Sequence, residues 1–263
     1  MHAPQTPIAL TIAGSDPSAG AGIQADLRMF FAQGVFGMSV LTALTAQNPL
    51  EVTAVHPIPA SFVAKQLATI HSLPIAAIKT GMLWSADIIH VIAASCAQNP
   101  HIPLVIDPVM ISTSGHRLID EQAIEAYRKD LFPIASLITP NLEEAEALLG
   151  TSISQQHTAE AAEAIGKQFG CAVLLKGGHM DTDPVDVLFD GTIHRWYQKR
   201  KMGINTHGTG CMLSAAVTAH MAKGLSLVEA VHNGLKAVQM ALSYPIHITE
   251  SIALSAIESS GVK

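Results

Sequence analysis

Short runs of β-branched residues alternate with alanine-rich amphipathic segments along most of this 263-residue chain, and this alternation limits the possible folds more than any other feature. The strand candidates are residues 8–12, 39–45, 76–79, 104–107, 137–139 and 172–176. The helix candidates are residues 23–33, 59–70, 86–98, 121–131, 142–149, 158–169, 210–222 and 227–244. Such alternation is typical of βαβ units, so the sequence predicts an α/β fold built on a parallel sheet.

A hairpin signal follows the last of these strand candidates. Asp190 and Gly191 stand between two further candidates, residues 186–189 and 192–197. An Asp-Gly pair between β-type segments is the strongest short-range signal of a hairpin, so we predict a small antiparallel hairpin at one edge of the sheet. The sequence shows no repeat, low-complexity tract or linker, which predicts a single domain over residues 1–263.

Charge and cysteine content argue against several classes of protein. The formal net charge is −6 and the one basic cluster is the short run 199–201, so no nucleic-acid partner is expected. Cys96, Cys171 and Cys211 are odd in number and widely spaced, which argues against disulfides or a zinc site and fits a reducing cytoplasm. Neither a signal peptide nor a membrane-spanning stretch is recognisable. We therefore expect a cytoplasmic protein without a membrane partner.

Residues that can carry chemistry follow the predicted strands one after another. The strand ends are followed by Gly14-Ser15-Asp16, Gln47, Gly81-Met82, Asp107-Pro108-Val109, Pro140-Asn141 and Gly177-Gly178-His179. The carboxyl ends of parallel strands meet at one edge of a sheet, where the ligands of open α/β proteins bind. The sequence thus predicts one ligand site along that edge.

The segment His207-Gly208-Thr209-Gly210-Cys211 precedes an apolar, alanine-rich helix candidate. Its glycines place backbone N–H groups at a helix N-terminus, which favours a bound anion. Cys211 falls in the first turn, where a thiol loses its proton most readily, although it can also be a small core residue. The pattern indicates chemistry on a phosphate or an acyl group. An acyl-transferase would need a histidine beside Cys211, and His207 lies in the preceding loop without an evident acidic residue to orient it.

Two glycine patterns bear on nucleotide binding. Residues 20–25 spell G-x-G-x-x-A, but residues 14–19 separate them from the strand before, and Gln47 stands where a dinucleotide fold would have an acid. We interpret this segment as a loop that contacts a small ligand. The chain contains no G-x-x-x-x-G-K-[ST] motif, which excludes a P-loop site.

Four polar residues at strand ends each allow two interpretations. Asn141 and Glu144 match a helix capping box, and they can also hold a hydrated Mg²⁺ ion with its phosphates. Lys176 is either a surface residue or a cation that neutralises a triphosphate. Asp107 is either a turn residue or an acid near the metal. The two roles of the Asn141–Glu144 pair can coexist.

Together these segments resemble the ribokinase-like kinases and, more closely, the hydroxymethylpyrimidine/phosphomethylpyrimidine kinases of thiamine biosynthesis. The matching segments are Ala13-Gly14-Ser15-Asp16-Pro17-Ser18 with Ala21-Gly22-Ile23-Gln24-Ala25-Asp26, Thr45-Ala46-Gln47-Asn48, Lys79-Thr80-Gly81-Met82-Leu83, Asp107-Pro108-Val109-Met110, Ile138-Thr139-Pro140-Asn141-Leu142, Lys176-Gly177-Gly178-His179 and His207-Gly208-Thr209-Gly210-Cys211. They follow the family's order over most of the chain. Ala19 stands where the family usually has glycine.

The resemblance implies a mostly parallel sheet with helices on both faces, ATP and Mg²⁺ as cofactors, and a homodimer. It implies ATP-dependent phosphorylation of 4-amino-5-hydroxymethyl-2-methylpyrimidine, and then of its monophosphate to the diphosphate. The implied catalytic group is Cys211 as the base, an anion hole of Gly208, Thr209 and Gly210, and Lys176 on the ATP phosphates. The residues implied for phosphate and metal are Asp107, Asn141 and Glu144. Those implied for the pyrimidine pocket are Gly14, Asp26, Gln47, Met82 and Val109.

Gln47 favours this substrate over its nearest rival. Its amide offers an acceptor beside a donor, which complements the exocyclic amine and ring nitrogen of an aminopyrimidine. A pyridoxine or pyridoxal kinase on the same scaffold would face a different ring edge. A catalytically silent vitamin-binding regulator is a more distant alternative, because a binder would not need the phosphate-handling residues.

Overall fold

The computed structural model describes residues 6–110, 119–177, 185–198, 208–247 and 253–255, and within them nine strands form one sheet. These strands are β1 (Ile8–Ser15), β2 (Phe36–Gln47), β3 (Val52–Pro57), β4 (Ile75–Thr80), β5 (Leu104–Ile106), β6 (Leu137–Ile138), β7 (Ala172–Leu175), β8 (Val185–Phe189) and β9 (His194–Gln198). Their order is β3-β2-β1-β4-β5-β6-β7-β8-β9. A separate antiparallel ribbon joins β10 (Pro245–His247) to β11 (Ala253–Ser255).

The centre of the sheet is parallel and both of its edges are antiparallel. Strands β2, β1, β4, β5, β6 and β7 run parallel to one another. The predicted hairpin is confirmed as β8 and β9, with Asp190 accepting hydrogen bonds from the backbone N–H groups of Thr192 and Ile193, both at 3.0 Å. Strand β3, which pairs antiparallel with β2 at the opposite edge, was not predicted. Four of its six residues are exposed, so it lacks the apolar run by which the buried strands are recognised.

The described helices are α1 (Gly22–Ala32), α2 (Ala60–Ile70), α3 (Ala86–Ala97), α4 (Glu121–Ala126), α5 (Leu142–Leu149), α6 (Thr158–Phe169), α7 (Thr209–Ala222) and α8 (Leu227–Ser243). Their bounds confirm the predicted helices to within one residue, apart from the segment 121–131. There α4 ends at Ala126 and the backbone continues as a π-helical turn, Tyr127–Leu131. Apolar periodicity does not distinguish a π-turn from an α-turn.

Helices cover both faces of the sheet, as predicted. Alternate side chains of β1 lie on opposite faces of the sheet. Leu10 packs in a core with α2 to α6, whereas Ala9 packs with α1 and α7 on the other face. Helix α7 is buried over most of its length, between the sheet and the outer helices. Gly234 of α8 allows this close packing, since a Cβ there would lie 2.8 Å from Val217 of α7. No helix of the described residues is long and apolar enough to cross a membrane.

The topology determines where a ligand can bind. Strand β1 has β2 on one side and β4 on the other, so the chain order reverses at β1. Crossovers on either side of such a strand leave a crevice beyond its carboxyl end. The loop that leads into α1 and the N-terminus of α7 come together there, because a Cβ at Gly208 would lie 1.8 Å from the carbonyl oxygen of Gly20.

Candidate active site

The first turn of α7 forms an open cradle of N–H groups. Gly208 has a φ of +85° and approaches Gly20 so closely that no side chain fits, which explains the need for glycine. Thr209 begins the helix, and no side chain among the described residues caps it. The first N–H groups of a helix have no carbonyl four residues earlier, so they are available to a ligand. This geometry suits an anion, as the sequence predicts.

A lysine–aspartate pair lies directly against this cradle. Lys176 Nζ is 2.9 Å from Asp107 Oδ1, and a Cβ at Gly210 would lie 3.3 Å from the same nitrogen. Asp107 also accepts hydrogen bonds from the hydroxyl groups of Thr139 at 3.2 Å and Ser214 at 3.3 Å. The structure therefore brings Asp107, Lys176 and the glycine loop together. Thr139 and Ser214 were not predicted as site residues.

Neighbouring charges keep both members of this pair ionised against the effect of burial. Burial alone would raise the pKa of the Asp107 carboxyl, but Lys176 and Lys79 hold it below its ordinary value. Burial likewise disfavours the Lys176 ammonium, and Asp107 and Glu144 raise its pKa well above the ordinary value. The Lys176 side chain keeps 13% of its surface exposed, more than the 3% of Asp107, so part of it borders the solvent.

The Asn141–Glu144 pair forms the predicted capping box. Asn141 Oδ1 accepts from the Glu144 N–H at 2.8 Å, and Glu144 Oε2 accepts from the Asn141 N–H at the same distance. Glu144 Oε1 also accepts from the Met110 N–H at 3.5 Å. Burial raises the pKa of Glu144 to about 7, an effect that Lys176 opposes and Asp107 reinforces. Glu144 thus stands beside the Lys176–Asp107 pair with its charge poorly compensated.

No three His, Cys, Asp or Glu side chains of the described residues cluster as a ready metal site. The donor chemistry nevertheless suits Mg²⁺, which keeps several waters and is held by one or two carboxylates together with substrate phosphates. Asp107 and the poorly compensated Glu144 carboxyl meet that description.

Gly14 and Met82 form one wall of the predicted substrate pocket. A Cβ at Gly14 would lie 2.6 Å from Met82 Cε, so only glycine allows Met82 its position. Two hydroxyl groups hold the adjoining loop: Thr42 Oγ1 donates to the Met82 carbonyl at 2.7 Å, and Tyr127 Oη donates to the Gly81 carbonyl at 3.2 Å. Neither Thr42 nor Tyr127 was predicted from sequence.

Gln47 and Val109 are both half-buried at strand ends. Gln47 lies at the end of β2, where its Oε1 accepts from Thr45 Oγ1 at 3.2 Å. Val109 follows β5 in a tight turn, with its N–H donating to the Asp107 carbonyl at 2.8 Å. Both positions agree with the predicted edge of the sheet.

Asp26 occupies a different environment from the other predicted pocket residues. Its side chain is fully buried, with Lys79 Nζ 2.7 Å from each carboxylate oxygen. Thr11 Oγ1 donates to Asp26 Oδ2 at 2.6 Å. Asp26 therefore contacts protein groups behind the crevice. A lone lysine in an otherwise apolar strand segment is the sequence signal that could have identified Lys79 as a buried partner.

Cys211 corrects one expectation drawn from the sequence. A helix N-terminus favours the thiolate, but here burial raises the pKa of the Cys211 thiol to about 11, although Lys79 acts in the opposite direction. The Gly22 N–H, at the start of α1, donates to this sulfur. The loop of residues 20–22 therefore contacts the first turn of α7, the segment predicted to be catalytic. His207, Gly178 and His179 lie outside the described residues.

Comparison with known proteins places this site in context. The model of the family described as phosphomethylpyrimidine kinase matches residues 16–254. The hydroxymethylpyrimidine/phosphomethylpyrimidine kinase of Haemophilus influenzae is 43% identical over 247 residues, covering 91% of this chain and 92% of that protein. The chain spans about half the length of two other relatives, namely 48% of a thiamine biosynthesis bifunctional protein from Geobacter sulfurreducens and 47% of a bifunctional enzyme from Arabidopsis thaliana.

Solved structures give the same fold with two different activities in their names. A phosphomethylpyrimidine kinase from Clostridium difficile superimposes with a TM-score of 0.81 at 40% identity, covering 90% of this chain and 100% of that chain. A Bacillus subtilis pyridoxal kinase, solved as an ADP complex, superimposes with a TM-score of 0.89 at 35% identity, covering 97% and 98%. The fold is thus ribokinase-like, and the overall superposition does not separate the two kinds of kinase.

Proposed function

Because the chain belongs to the phosphomethylpyrimidine kinase family, we propose that it phosphorylates 4-amino-5-hydroxymethyl-2-methylpyrimidine with ATP and then phosphorylates the monophosphate to the diphosphate. The observation that carries this proposal is the contact between the Lys176–Asp107 pair and Gly210 at the open end of α7. A cation and a row of N–H groups that face one point suit a phosphoryl group in transfer.

Positioning and electrostatics supply most of the catalysis in phosphoryl transfer. The N–H groups of the anion hole formed by Gly208, Thr209 and Gly210 would donate hydrogen bonds to the phosphoryl oxygens, and Gly208 also allows the turn. Lys176 would exchange part of its contact with Asp107 for the ATP phosphates. Asp107, Asn141 and Glu144 would hold Mg²⁺ with the phosphates, and the bound ion would neutralise charge on the transferring group.

Cys211 is the proposed base for the substrate hydroxyl. In this role the thiol first loses its proton to solvent, and the thiolate then takes the hydroxyl proton as the new P–O bond forms. A thiol with a pKa of about 11 carries no fixed charge at neutral pH, so it does not repel the phosphate of the second substrate. An aspartate at this position would be charged throughout. Since only the thiolate acts, turnover should rise with pH through the neutral range.

The pyrimidine would lie against Met82 and Val109, above Gly14, with the Gln47 amide facing the exocyclic amine and a ring nitrogen. The half-buried position of Gln47 at the end of β2 supports this assignment. Asp26 has no exposed surface, so it would support the pocket from behind through its contact with Lys79 without touching the substrate.

We further propose that residues 1–263 act as one cytoplasmic domain that forms a homodimer. One sheet runs through the described residues, and Cys96, Cys171 and Cys211 are free thiols, as suits a reducing compartment. Phe36 on β2 and Phe62 on α2 are more than half exposed, which offers apolar surface for a second copy. Sedimentation equilibrium would measure the mass in solution.

A pyridoxal kinase is the second candidate, because a structure of that name superimposes on more of this chain. The test is ADP release with Mg²⁺ and ATP, measured separately with hydroxymethylpyrimidine, its monophosphate and pyridoxal. We expect turnover with both pyrimidines. Turnover with pyridoxal alone would favour the second candidate, and absence of turnover with all three would favour a catalytically silent binding protein.

A further inference from the structure

The Asp26–Lys79 pair is sealed inside the protein but lies beside the catalytic segment. Both side chains have no exposed surface, and Lys79 Nζ contacts both oxygens of Asp26 at 2.7 Å. Removing two charges from water is costly, so a buried ion pair is weak evidence of a purely stabilising role. Its position relative to its neighbours indicates a more specific one.

The register of the sheet directs Lys79 towards α7. Thr11 of β1 pairs with Lys79 of β4, two residues beyond Ala9 and Ala77 on the same face. Ala9 and Ala77 pack against α1 and α7, and their small side chains let these helices approach the sheet. Lys79 thus lies under the N-terminal ends of α1 and α7. A Cβ at Gly81 would lie 3.3 Å from its Nζ, so the cation also contacts the loop after β4.

Cys211 lies where these elements meet. The Gly22 N–H from the start of α1 donates to its sulfur, while Lys79 acts on it from β4. Two cations interact electrostatically with Cys211: Lys79, and Lys176, which lies beside Gly210. Two acids, Asp107 and Asp26, interact with it in the same way and raise its pKa. Of the charged groups that act on Cys211, Lys79 has the largest effect.

We propose that Lys79, fixed by Asp26, is a positioning residue that places a permanent positive charge behind the Cys211 sulfur and so controls how much thiolate forms. The inference deepens the proposed role of Cys211 as base and rests on it for its catalytic meaning. The charge effect itself is measurable on the free protein without any substrate.

The pair is built to keep that charge in place. Burial alone would lower the pKa of Lys79, but Asp26 above all, with Cys211 and Asp107, raises it above its ordinary value. Thr11 donates a hydrogen bond to one Asp26 oxygen, so the carboxylate cannot rotate away from Lys79 without also losing its bond to Thr11. Neither side chain reaches solvent, so the pair cannot contact a substrate directly, and its charge acts on Cys211 from inside the protein.

The test is the rate at which iodoacetamide alkylates Cys211 as a function of pH. Cys96 and Cys171 are buried, and a Cys211→Ser variant measures their background. Lys79→Met should slow alkylation at pH 9 by about tenfold, which corresponds to a rise of about one unit in the thiol pKa. Turnover should fall by a similar factor, with the KM for ATP within about twofold of wild type. Lys79→Arg should restore most of the alkylation rate, and Lys129→Met, an exposed control, should change nothing.

Lys79→Met leaves the Asp26 carboxylate without its partner, so the variant can fail to fold. The double variant Asp26→Asn/Lys79→Met removes both charges and should slow alkylation by about threefold, less than the single variant because Asp26 acts on Cys211 in the opposite direction. A folded double variant that alkylates at the wild-type rate at every pH would overturn the inference. Slower alkylation with unchanged turnover would instead keep the charge effect and reject Cys211 as the base.

Discussion

Among the described residues, two lysine–aspartate pairs flank the first turn of α7, and they differ in access to solvent. Lys176 keeps 13% of its side chain exposed and contacts one oxygen of Asp107, whereas Lys79 is fully buried and contacts both oxygens of Asp26. The first pair can exchange contacts with an incoming phosphate. The second has no exposed surface, so it cannot contact a ligand directly and its charge acts from behind the site. In the proposed mechanism, the same chemical pair would thus serve as a ligand group in one place and as a fixed charge in the other.

The largest expected effect comes from breaking the open pair. Lys176→Met should reduce turnover by about 10³-fold, since a cation beside developing phosphoryl charge is lost. It should also abolish the thermal shift caused by ADP, whereas Asp26→Asn/Lys79→Met should retain that shift. Differential scanning fluorimetry with and without ADP measures this difference. Lys167→Met removes an exposed lysine and serves as the control. Equal loss of the ADP shift in both variants would contradict the distinction between the pairs.

Glu144, beside the open Lys176–Asp107 pair, should make the free energy of unfolding depend on pH. Its pKa is raised to about 7 in the folded protein from an ordinary value of 4.5. The folded state therefore binds the proton more tightly, so the group stabilises the fold below pH 4.5 and loses that contribution as pH rises through 7. The difference is about 3 kcal/mol in the free energy of unfolding. Urea denaturation of the ligand-free protein between pH 5 and 8 measures it.

Replacement of Glu144 tests this assignment directly. Glu144→Gln should flatten the dependence of stability on pH between 5 and 8, because the group no longer titrates. Glu143→Gln alters the exposed neighbouring carboxyl and should leave the slope as in wild type. An unchanged slope in the Glu144 variant would assign the pH dependence to other groups.

Cys211 interacts electrostatically with members of both pairs, so replacing it tests why this position carries a thiol that is neutral at pH 7. Cys211→Asp places a permanent anion beside the site, so turnover of the monophosphate should fall by about 10²-fold more than turnover of the unphosphorylated pyrimidine. Single-turnover rates with each substrate give this ratio. Cys211→Ser, which adds no charge, should slow both steps alike. If Cys211→Asp also slows both steps alike, charge repulsion is not the reason for a thiol at this position.

Gln47 provides a reference that belongs to neither pair. Gln47→Leu removes the amide that would face the ring, and the KM for the pyrimidine should rise by about tenfold while the KM for ATP changes by less than about twofold. Gln66→Leu on α2 removes another amide, one that bonds the backbone of Leu41, and should not give this selective change. Matched changes in both KM values for the Gln47 variant would remove Gln47 from the pocket.

Local signals explain which parts of the structure were predictable. Helix α5 was predicted to the residue because Asn141 and Glu144 form a capping box and Gly150 ends the helix with a φ of +69°. The strand-end residues were predictable because parallel strands end at a common edge. The Asp26–Lys79 pair was not, since its members are 53 residues apart and meet only when α1 packs over β1 and β4. The raised pKa of Cys211 was likewise missed, because burial in the folded protein outweighs the local effect of the helix N-terminus.

The smallest expected effect concerns the loop that joins the sealed pair to the substrate pocket. Tyr127, at the start of the π-helical turn, donates to the Gly81 carbonyl, and Gly81 lies against Lys79. Tyr127→Phe leaves that buried carbonyl without its donor, so we expect a loss of about 1 kcal/mol in unfolding free energy and a rise of about twofold in the KM for the pyrimidine. Tyr197→Phe, on the half-buried face of β9, is the matched control. A loss of stability without any change in KM would show that Tyr127 stabilises the core alone. The loop after β4 would then be held in position by other contacts, including the hydrogen bond from Thr42 to the Met82 carbonyl.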